Sequence, residues 1–442
     1  MLASASALLS STWPFSLKDL PQDAYLVGGS VRDALLGRQS PHLDLDFVLA
    51  HNAVDTAQAI AECYDAGFVL LDAERRIARV VFSDATADFA EQMGGSLEAD
   101  LRRRDFTINA IAYSPHHNRF VDPVGGTQDL KQNRLCMISE QNLNDDPLRL
   151  LRAHRQAAQL KFDLDPNTQQ SIRALAHLIR RVAPERVYAE LSYLLNASRS
   201  GTKQLTSAWK DGLLKPWLPD VTADSLAEVA RIDVATADLG RANPAFTSCV
   251  LSWLRDQQQA AGVGRSWLKV AKLSCLTADS SQAEAQLWQL KCSRAEVQSV
   301  LLLRQIRQHL IPDAKDATTD VSLPWQSLTQ RQQYELFKQS GDAFPACALV
   351  AMALGACGDR VTEMMHRFID AADPIAHPDP LLTGHDLMAQ LSMKPSPRMG
   401  QLLESLSIAH AEGKISDRPS AIAFAQAWIA GSGSDRSPEK PA

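Results

Sequence analysis

Between residues 24 and 138 the apolar positions fall into short runs separated by stretches of three- and four-residue spacing. Tyr25–Val27, Leu45–Leu49, Gly67–Leu71, Ile77–Phe82, Thr86–Phe89 and Arg119–Val121 read as strands, because β-branched and aromatic residues gather there between turn residues. After Asn144 the β-type runs stop. Apolar residues then recur at helical spacing, and Asp146-Pro147, Asp165-Pro166 and Ala183-Pro184 mark helix starts, where the N–H that proline lacks would be unpaired anyway. The pattern predicts an α+β head with a mixed sheet and flanking helices, followed by an all-α body. Soft boundaries fall at the polar stretch 311–320 and at 371–380, which reads AADPIAHPDP. From Gly431 the sequence GSGSDRSPEKPA has almost nothing to bury and predicts a disordered tail. The divisions are an N-terminal extension 1–23, a head 24–140, a helical neck 141–210, a helical body 211–375, C-terminal helices 376–430 and the tail 431–442.

Composition narrows the function classes. A chain of 442 residues, 45% hydrophobic and 22% charged, can bury two to four cores at about 100–200 residues each, which excludes a disordered or fibrous protein. Lys and Arg total 45 against 51 Asp and Glu, a net charge of −6, so any nucleic-acid contact must come from a local patch. The seven cysteines form no CxxC pair, which fits reduced thiols in a cytoplasmic protein and neither a disulfide framework nor a zinc site. No basic residue precedes Lys18 and no A-x-A-like site follows, so no secretory signal is expected. No run of about 18 apolar residues exists, so no membrane partner is expected either. Nothing in the sequence speaks to an oligomeric state.

Candidate chemistry begins where the first strand breaks at Gly28-Gly29 and enters a helix through Ser30, Val31, Arg32 and Asp33. Such a turn presents backbone N–H groups to a phosphate, with the Ser30 hydroxyl and the Arg32 guanidinium as further donors. Alone it is more often a plain tight turn. The next strand carries Asp44 and Asp46, which project to one face while Leu45, Phe47 and Leu49 face the other. An isolated D-x-D is more often a solvated strand end, but two like charges directly after a phosphate turn describe a divalent-cation site for phosphoryl chemistry. Asp88 on a neighbouring strand is the expected third carboxylate, with Asp84 as its rival.

At this point the sequence resembles the class II tRNA nucleotidyltransferase and bacterial poly(A) polymerase family, within the polymerase-β-like nucleotidyltransferases. The resemblance rests on GGSVRDALLG with Asp44-x-Asp46, then Arg103-Arg104-Asp105-Phe106-Thr107-Ile108-Asn109-Ala110. Asp122-Pro123 with Gly125-Gly126, Asp145-Asp146-Pro147-Leu148-Arg149 and Pro184-Glu185-Arg186 follow in order. These cover residues 24–190, and LLTGHDLMAQLSMKPSPRMGQLL at 381–403 looks like C-terminal helices of such enzymes. The resemblance implies transfer of a nucleoside monophosphate from CTP or ATP to a tRNA 3′ end, with release of pyrophosphate. Asp44 and Asp46 would bind Mg²⁺. Gly28, Gly29, Ser30 and Arg32 would hold the triphosphate, and Arg104, Asp105 and Asn109 the rest of the nucleotide.

Base choice has a physical template in Asp146 and Arg149. Cytosine and adenine both offer an amino donor beside a ring-nitrogen acceptor, so a carboxylate and a guanidinium pair with either, whereas uracil and guanine reverse the polarity. The same two residues could equally be a helix cap and its solvated neighbour. In the family the residue before this pair is normally Glu; here it is Asp145. From Arg149 to Lys210 there are eleven Lys/Arg and four Asp/Glu, an excess that suits a phosphate backbone, with Arg152, Arg155 and Arg173 as the expected RNA contacts. His42, the pair His116-His117 and His385-Asp386 lack metal-ligand spacing. Asp46 and Arg103 are 57 residues apart, compact for a region that in the resembled CCA-adding enzymes holds a flexible loop used in adding A. Addition of CC only, of A only, poly(A) synthesis and a non-catalytic RNA-binding role stand as alternatives to full CCA addition.

Overall fold

The computed structural model describes residues 6–38, 42–252, 264–277, 280–310 and 324–431. The expected boundary at 311–320 and the tail from residue 432 lie outside these, while Gly431 closes the last helix. The chain divides into two compact units, 1–219 and 220–442.

The first unit holds strands β1 (Tyr25–Val27), β2 (Leu43–Leu49), β3 (Gly67–Asp72), β4 (Ile77–Val81), β5 (Ala85–Glu91), β6 (Ala112–Ser114), β7 (Arg119–Val121), β8 (Arg134–Leu135) and β9 (Asp163–Leu164). Its helices are α1 (Gly29–Leu35), α2 (Ala53–Cys63), α3 (Leu97–Arg102), α4 (Gly126–Lys131), α5 (Glu140–Asp145), α6 (Leu148–Leu160), α7 (Pro166–Leu175), α8 (Pro184–Asn196) and α9 (Arg199–Lys210). Seven strands form one sheet in the order β3-β4-β5-β2-β1-β6-β7. Within this sheet, among the described residues, only β2 and β5 pair in parallel, and their register sets Asp44 beside Thr86 and Asp46 beside Asp88. Side chains alternate across a sheet, so these four share one face.

The other face of the same two strands is apolar. Phe47 and Phe89 stack with centroids 5.2 Å apart, and Trp13 meets Phe47 edge-on at 5.2 Å. Trp13, Phe15 and Leu20 are buried, so the N-terminal extension is part of the head's core. Tyr64 locks it there, donating to Asp19 Oδ2 at 2.6 Å and accepting from the Ser16 N–H at 2.8 Å. Two expectations need correcting. The strand β6 went unread because its three residues are all buried and show no alternation. Strand structure also does not end at Asn144, since β9 pairs in parallel with β8 across two residues.

The second unit is helical throughout its described residues: α10 (Ala223–Ala242), α11 (Pro244–Leu251), α12 (Trp267–Leu276), α13 (Ser280–Gln289), α14 (Arg294–Leu310), α15 (Gln330–Ser340), α16 (Phe344–Ala353), α17 (Gly358–Ile369), α18 (Gly384–Leu391), α19 (Pro397–Ala411) and α20 (Arg418–Gly431). All ten residues of α12 are buried. Its two lysines are neutralised by neighbouring helices, Lys269 Nζ lying 2.6 Å from Glu296 and Lys272 Nζ 2.7 Å from Asp233. Burial pushes the Lys272 ammonium below its usual range. Leu387, Leu402, Leu406, Ala421 and Ala425 form a separate core for α18–α20. Thr383 caps α18 and Asp386 completes the capping box: bonds from Thr383 and from Arg418 pull the Asp386 carboxyl down to about 2, so His385-Asp386 is a helix-start feature. No helix among the described residues is long and apolar enough to cross a membrane.

In the neck of the first unit, α6, α7 and α9 meet around one buried carboxylate. Asp211 lies 3.3 Å from His154 Nε2 and accepts from Arg173 Nε at 2.7 Å and from Gln169 Nε2 at 3.2 Å. Burial alone would raise the Asp211 pKa, but the bonds from His154, Arg173 and Gln169 outweigh it and hold the carboxyl below its usual value. The charged form therefore adds stability above the unfolded carboxylate range, and this is lost as pH falls through the lowered folded value. We expect Asp211→Asn to lose about 2 kcal/mol at pH 7, the order expected for a weakened charged hydrogen bond in a buried site. The gap should shrink on acidification to about pH 3. Urea unfolding at the two pH values checks this; a gap independent of pH would contradict it.

Candidate active site

The site starts at the turn between β1 and α1. Gly28 has φ +76°, and a Cβ there would stand 3.1 Å from Asp46 Oδ2 and 3.6 Å from Arg104 Nη1. Only glycine both adopts that backbone easily and lets the turn approach the carboxylate so closely. The Ser30 hydroxyl donates to the Val27 carbonyl at 3.1 Å and ties the turn to its strand. Arg32 forks onto Asp33, with Nε and Nη2 at 3.0 and 2.9 Å, and its Nη1 reaches Asn109 Oδ1 at 2.8 Å.

The expected carboxylates divide into two environments. Asp44 is exposed, accepts from the Thr86 hydroxyl at 2.6 Å and has His42 Nε2 at 3.6 Å. Asp46 is pushed up to about 6, first by burial and then by the charges of Asp88 and Asp44, with Arg104 opposing. Hard oxygen donors that repel one another on one strand face fit a divalent cation. Asp88 stands in register with Asp46, whereas Asp84 is exposed before β5. Yet both Asp88 oxygens accept from Arg79, at 2.7 and 2.9 Å. No group of three or more His, Cys, Asp or Glu that could hold a metal occurs among the described residues.

Behind this face runs a chain of charged bonds into the neck. Asp105 accepts from Asn109 Nδ2 at 2.9 Å, the same nitrogen lies 3.0 Å from Gln156 Oε1, and Arg152 Nη1 is 3.6 Å from Asp105. Arg152 also donates to Glu190 at 3.3 Å, and Arg155 bonds the other Glu190 oxygen while its guanidinium lies over the Tyr193 ring. At the start of α6, Arg149 donates to the carbonyls of Arg103 and Asn142 at 3.0 and 2.9 Å, and burial pushes its guanidinium down. Asp146 accepts from the Leu148 N–H at 3.3 Å and from Arg186 Nη2 at 3.0 Å.

Gly28, Asp46 and Arg104 are thus brought together, as are Arg32, Asp105 and Asn109. The expected RNA contacts are paired with carboxylates of the neck. Arg152 and Arg155 are tied to Glu190, and Arg173 to Asp211, because these carboxylates would otherwise be buried uncompensated. The exposed cations of that stretch include Arg180, Arg181 and Lys210.

Sequence reasoning missed Asp100. It is fully buried, and accepts from the Met93 N–H at 3.1 Å, from Arg103 at 2.9 and 2.5 Å and from Arg104 at 3.2 Å. Its spacing of three and four from the two arginines was the available signal. Asn142, which donates to the carbonyls of Arg102 and Arg104 at 2.7 Å each, had none. We expect Asp100→Ala to cost about 3–5 kcal/mol of stability, since two guanidinium groups lose their buried partner. Thermal unfolding should register a lower midpoint, and a midpoint unchanged within a degree would remove Asp100 from this role.

The chain matches family profiles described as "Poly A polymerase head domain" at residues 24–92 and 76–136 and "Probable RNA and SrmB- binding site of polymerase A" at 161–225. A profile for tRNA nucleotidyltransferase domain 2 matches residues 265–425. It is 45% identical to a CC-adding tRNA nucleotidyltransferase of Synechocystis, over 93% of this chain and 95% of that protein. It is 32% identical to an A-adding tRNA nucleotidyltransferase of Deinococcus radiodurans, over 93% of this chain and 97% of that protein. A CCA-adding enzyme solved with CTP has the same fold, with TM-score 0.69 at 19% identity over 92% of this chain and 91% of that one. Matching these profiles from head to C-terminal helices, and these relatives over nearly its whole length, the chain belongs to the tRNA nucleotidyltransferase and poly(A) polymerase family.

Proposed function

We propose that this chain is a cytoplasmic, Mg²⁺-dependent nucleotidyltransferase that adds C residues from CTP to the 3′ end of tRNA and leaves the terminal A to another enzyme. The observation that carries the CC reading is the hairpin between β3 and β4, where only residues 73–76 join the strands. The connection from β4 to β5 is three residues, 82–84. The compact head expected from the spacing of Asp46 and Arg103 thus corresponds to short turns. The 45% identity to the Synechocystis CC-adding enzyme supports the same reading. The likeness to poly(A) polymerase I of Haemophilus influenzae, 31% identity, spans 52% of this chain and 58% of that protein.

In the reaction the tRNA 3′-hydroxyl loses its proton to solvent, its oxygen forms a bond to the α-phosphorus of CTP, the bond from that phosphorus to the α,β-bridging oxygen breaks, and pyrophosphate leaves with the bridging oxygen. Mg²⁺ held by Asp44 and Asp46 would polarise the α-phosphate and favour the ionised hydroxyl. The Gly28-Gly29 turn and the guanidinium groups of Arg32 and Arg104 bind the triphosphate. Asp105 and Asn109 orient the ribose. Asp146 accepts from the cytosine amine and Arg149 donates to the ring nitrogen; ATP presents the same edge and is the competing substrate. Arg152 and Arg155 support this site through Glu190, and exposed Arg173, Arg180, Arg181 and Lys210 are among the cations available to the RNA backbone.

The test incubates the protein with Mg²⁺, each triphosphate in turn, and tRNA ending at the discriminator, at C or at CC, and sequences the products. CTP should be added to the first two and nothing to the third. Addition of A after CC would replace this reading with CCA or A addition, and long A tracts with poly(A) synthesis. In the same assay Asp44→Ala and Asp46→Ala should each lower turnover at least about a hundredfold. Arg149→Ala should lower selectivity for C over U by roughly ten- to a hundredfold; selectivity unchanged in that variant would remove the base template.

A further inference from the structure

The basic segment Arg75-Arg76-Ile77-Ala78-Arg79 has no place in the mechanism so far. Arg75 and Arg76 turn to Asp72 and Glu91, at 3.8 and 3.1 Å. Arg79 differs. It lies directly opposite Asp88 in the antiparallel β4–β5 pair, so both side chains stand on the face that carries Asp44 and Asp46. Its Nε and Nη2 take the two Asp88 oxygens separately, a planar fork on a planar carboxylate, the strong two-point form of this bond. Asp44 and Asp46 lie within its electrostatic reach as well. On the other flank Arg104 faces Asp46, itself anchored by Asp100.

We propose that Arg79 is the built-in counter-cation of this carboxylate cluster: by clasping Asp88 at both oxygens it leaves Asp44 and Asp46 as the pair open to a divalent cation, and limits the nucleotide-free cluster to one such ion. This rests on the reading of Asp44 and Asp46 as metal ligands. A fixed guanidinium does two things a neutral residue there would not. It offsets the repulsion among three carboxylates on adjoining positions of two strands, and it makes recruitment of Asp88 to a metal conditional on breaking two charged bonds. Arg79 is a positioning residue in this account and touches no reacting atom.

The test is a titration of the full-length, nucleotide-free protein with Mn²⁺, the free ion being followed by electron paramagnetic resonance. Folding of each variant is verified by circular dichroism. Wild type should bind one Mn²⁺ and Asp44→Asn should lose it. Arg79→Gln should bind two, the first about tenfold more tightly as a nearby positive charge is removed. Arg79→Lys should bind one. Asp88→Asn should keep the single ion within about threefold of the wild-type affinity, since its carboxylate is not a ligand while the fork is intact. The double variant Arg79→Gln/Asp88→Asn should return to one ion, which a general charge effect does not require. A single ion in Arg79→Gln, or loss of the ion in Asp88→Asn as complete as in Asp44→Asn, overturns the proposal. A wild-type isotherm in Asp44→Asn instead overturns the metal-ligand reading beneath it, and is a different signature.

Discussion

The parallel, in-register pairing of β2 with β5 is the constraint on which the head depends. It places Asp46 against Asp88 and Asp44 against Thr86 on one face, and Phe47 against Phe89 on the other. The two faces oppose each other energetically. Stacked rings, with Trp13 and Phe15 packed upon them, favour the pairing through burial of apolar surface, while like charges disfavour it. The arginines on either flank, Arg79 and Arg104, make the charged face tolerable. A one-residue slip would send the carboxylates into the aromatic layer, so burial of the rings fixes the position of the polar face.

From that face, order is carried into the neck by paired charges. Arg32, Asn109, Asp105, Arg152 and Glu190 follow one another through hydrogen bonds and ion pairs that join α1, the segment after α3, α6 and α8. Each of these groups is costly to bury alone, and each has its partner on a different element. The start of α6, where Asp146 and Arg149 sit, is held by Arg186 of α8 and by carbonyls of Arg103 and Asn142. Side chains held this way are fixed by their surroundings before any ligand arrives, which lowers the ordering cost of recognition by the base template proposed for them.

The helical second unit uses the same device for a different end. Its central helix α12 is enclosed on every side yet carries Lys269 and Lys272, each matched to a carboxylate on another helix. Leucines at those positions would pack against many neighbours; a lysine packs acceptably only where its acid partner stands. The pairs therefore define which faces of α10, α12 and α14 meet, at the expense of desolvating four charges.

Local signals in the sequence determined the strands β1 and β7 to the residue, the helix starts at Pro166 and Pro184, the turn at Gly28 and the common face of Asp44 and Asp46. These follow from side-chain alternation, proline geometry and capping, which act within a few residues. The family's motifs pointed to the nucleotide site on top of that. What the sequence left open was decided through space. Strand register chose Asp88 over Asp84 beside Asp46, and the β4–β5 pairing gave Asp88 to Arg79. The N-terminal extension entered the core because Phe47 and Phe89 offered its Trp13 and Phe15 an apolar face. Arg152, Arg155 and Arg173 read as expected RNA contacts, and nothing along the chain signalled that Glu190 and Asp211, more than thirty residues away, would be folded against them. A charge count along a chain registers sign and spacing, but desolvation acts on neighbours in space, and only the tertiary structure says which carboxylate each arginine must neutralise.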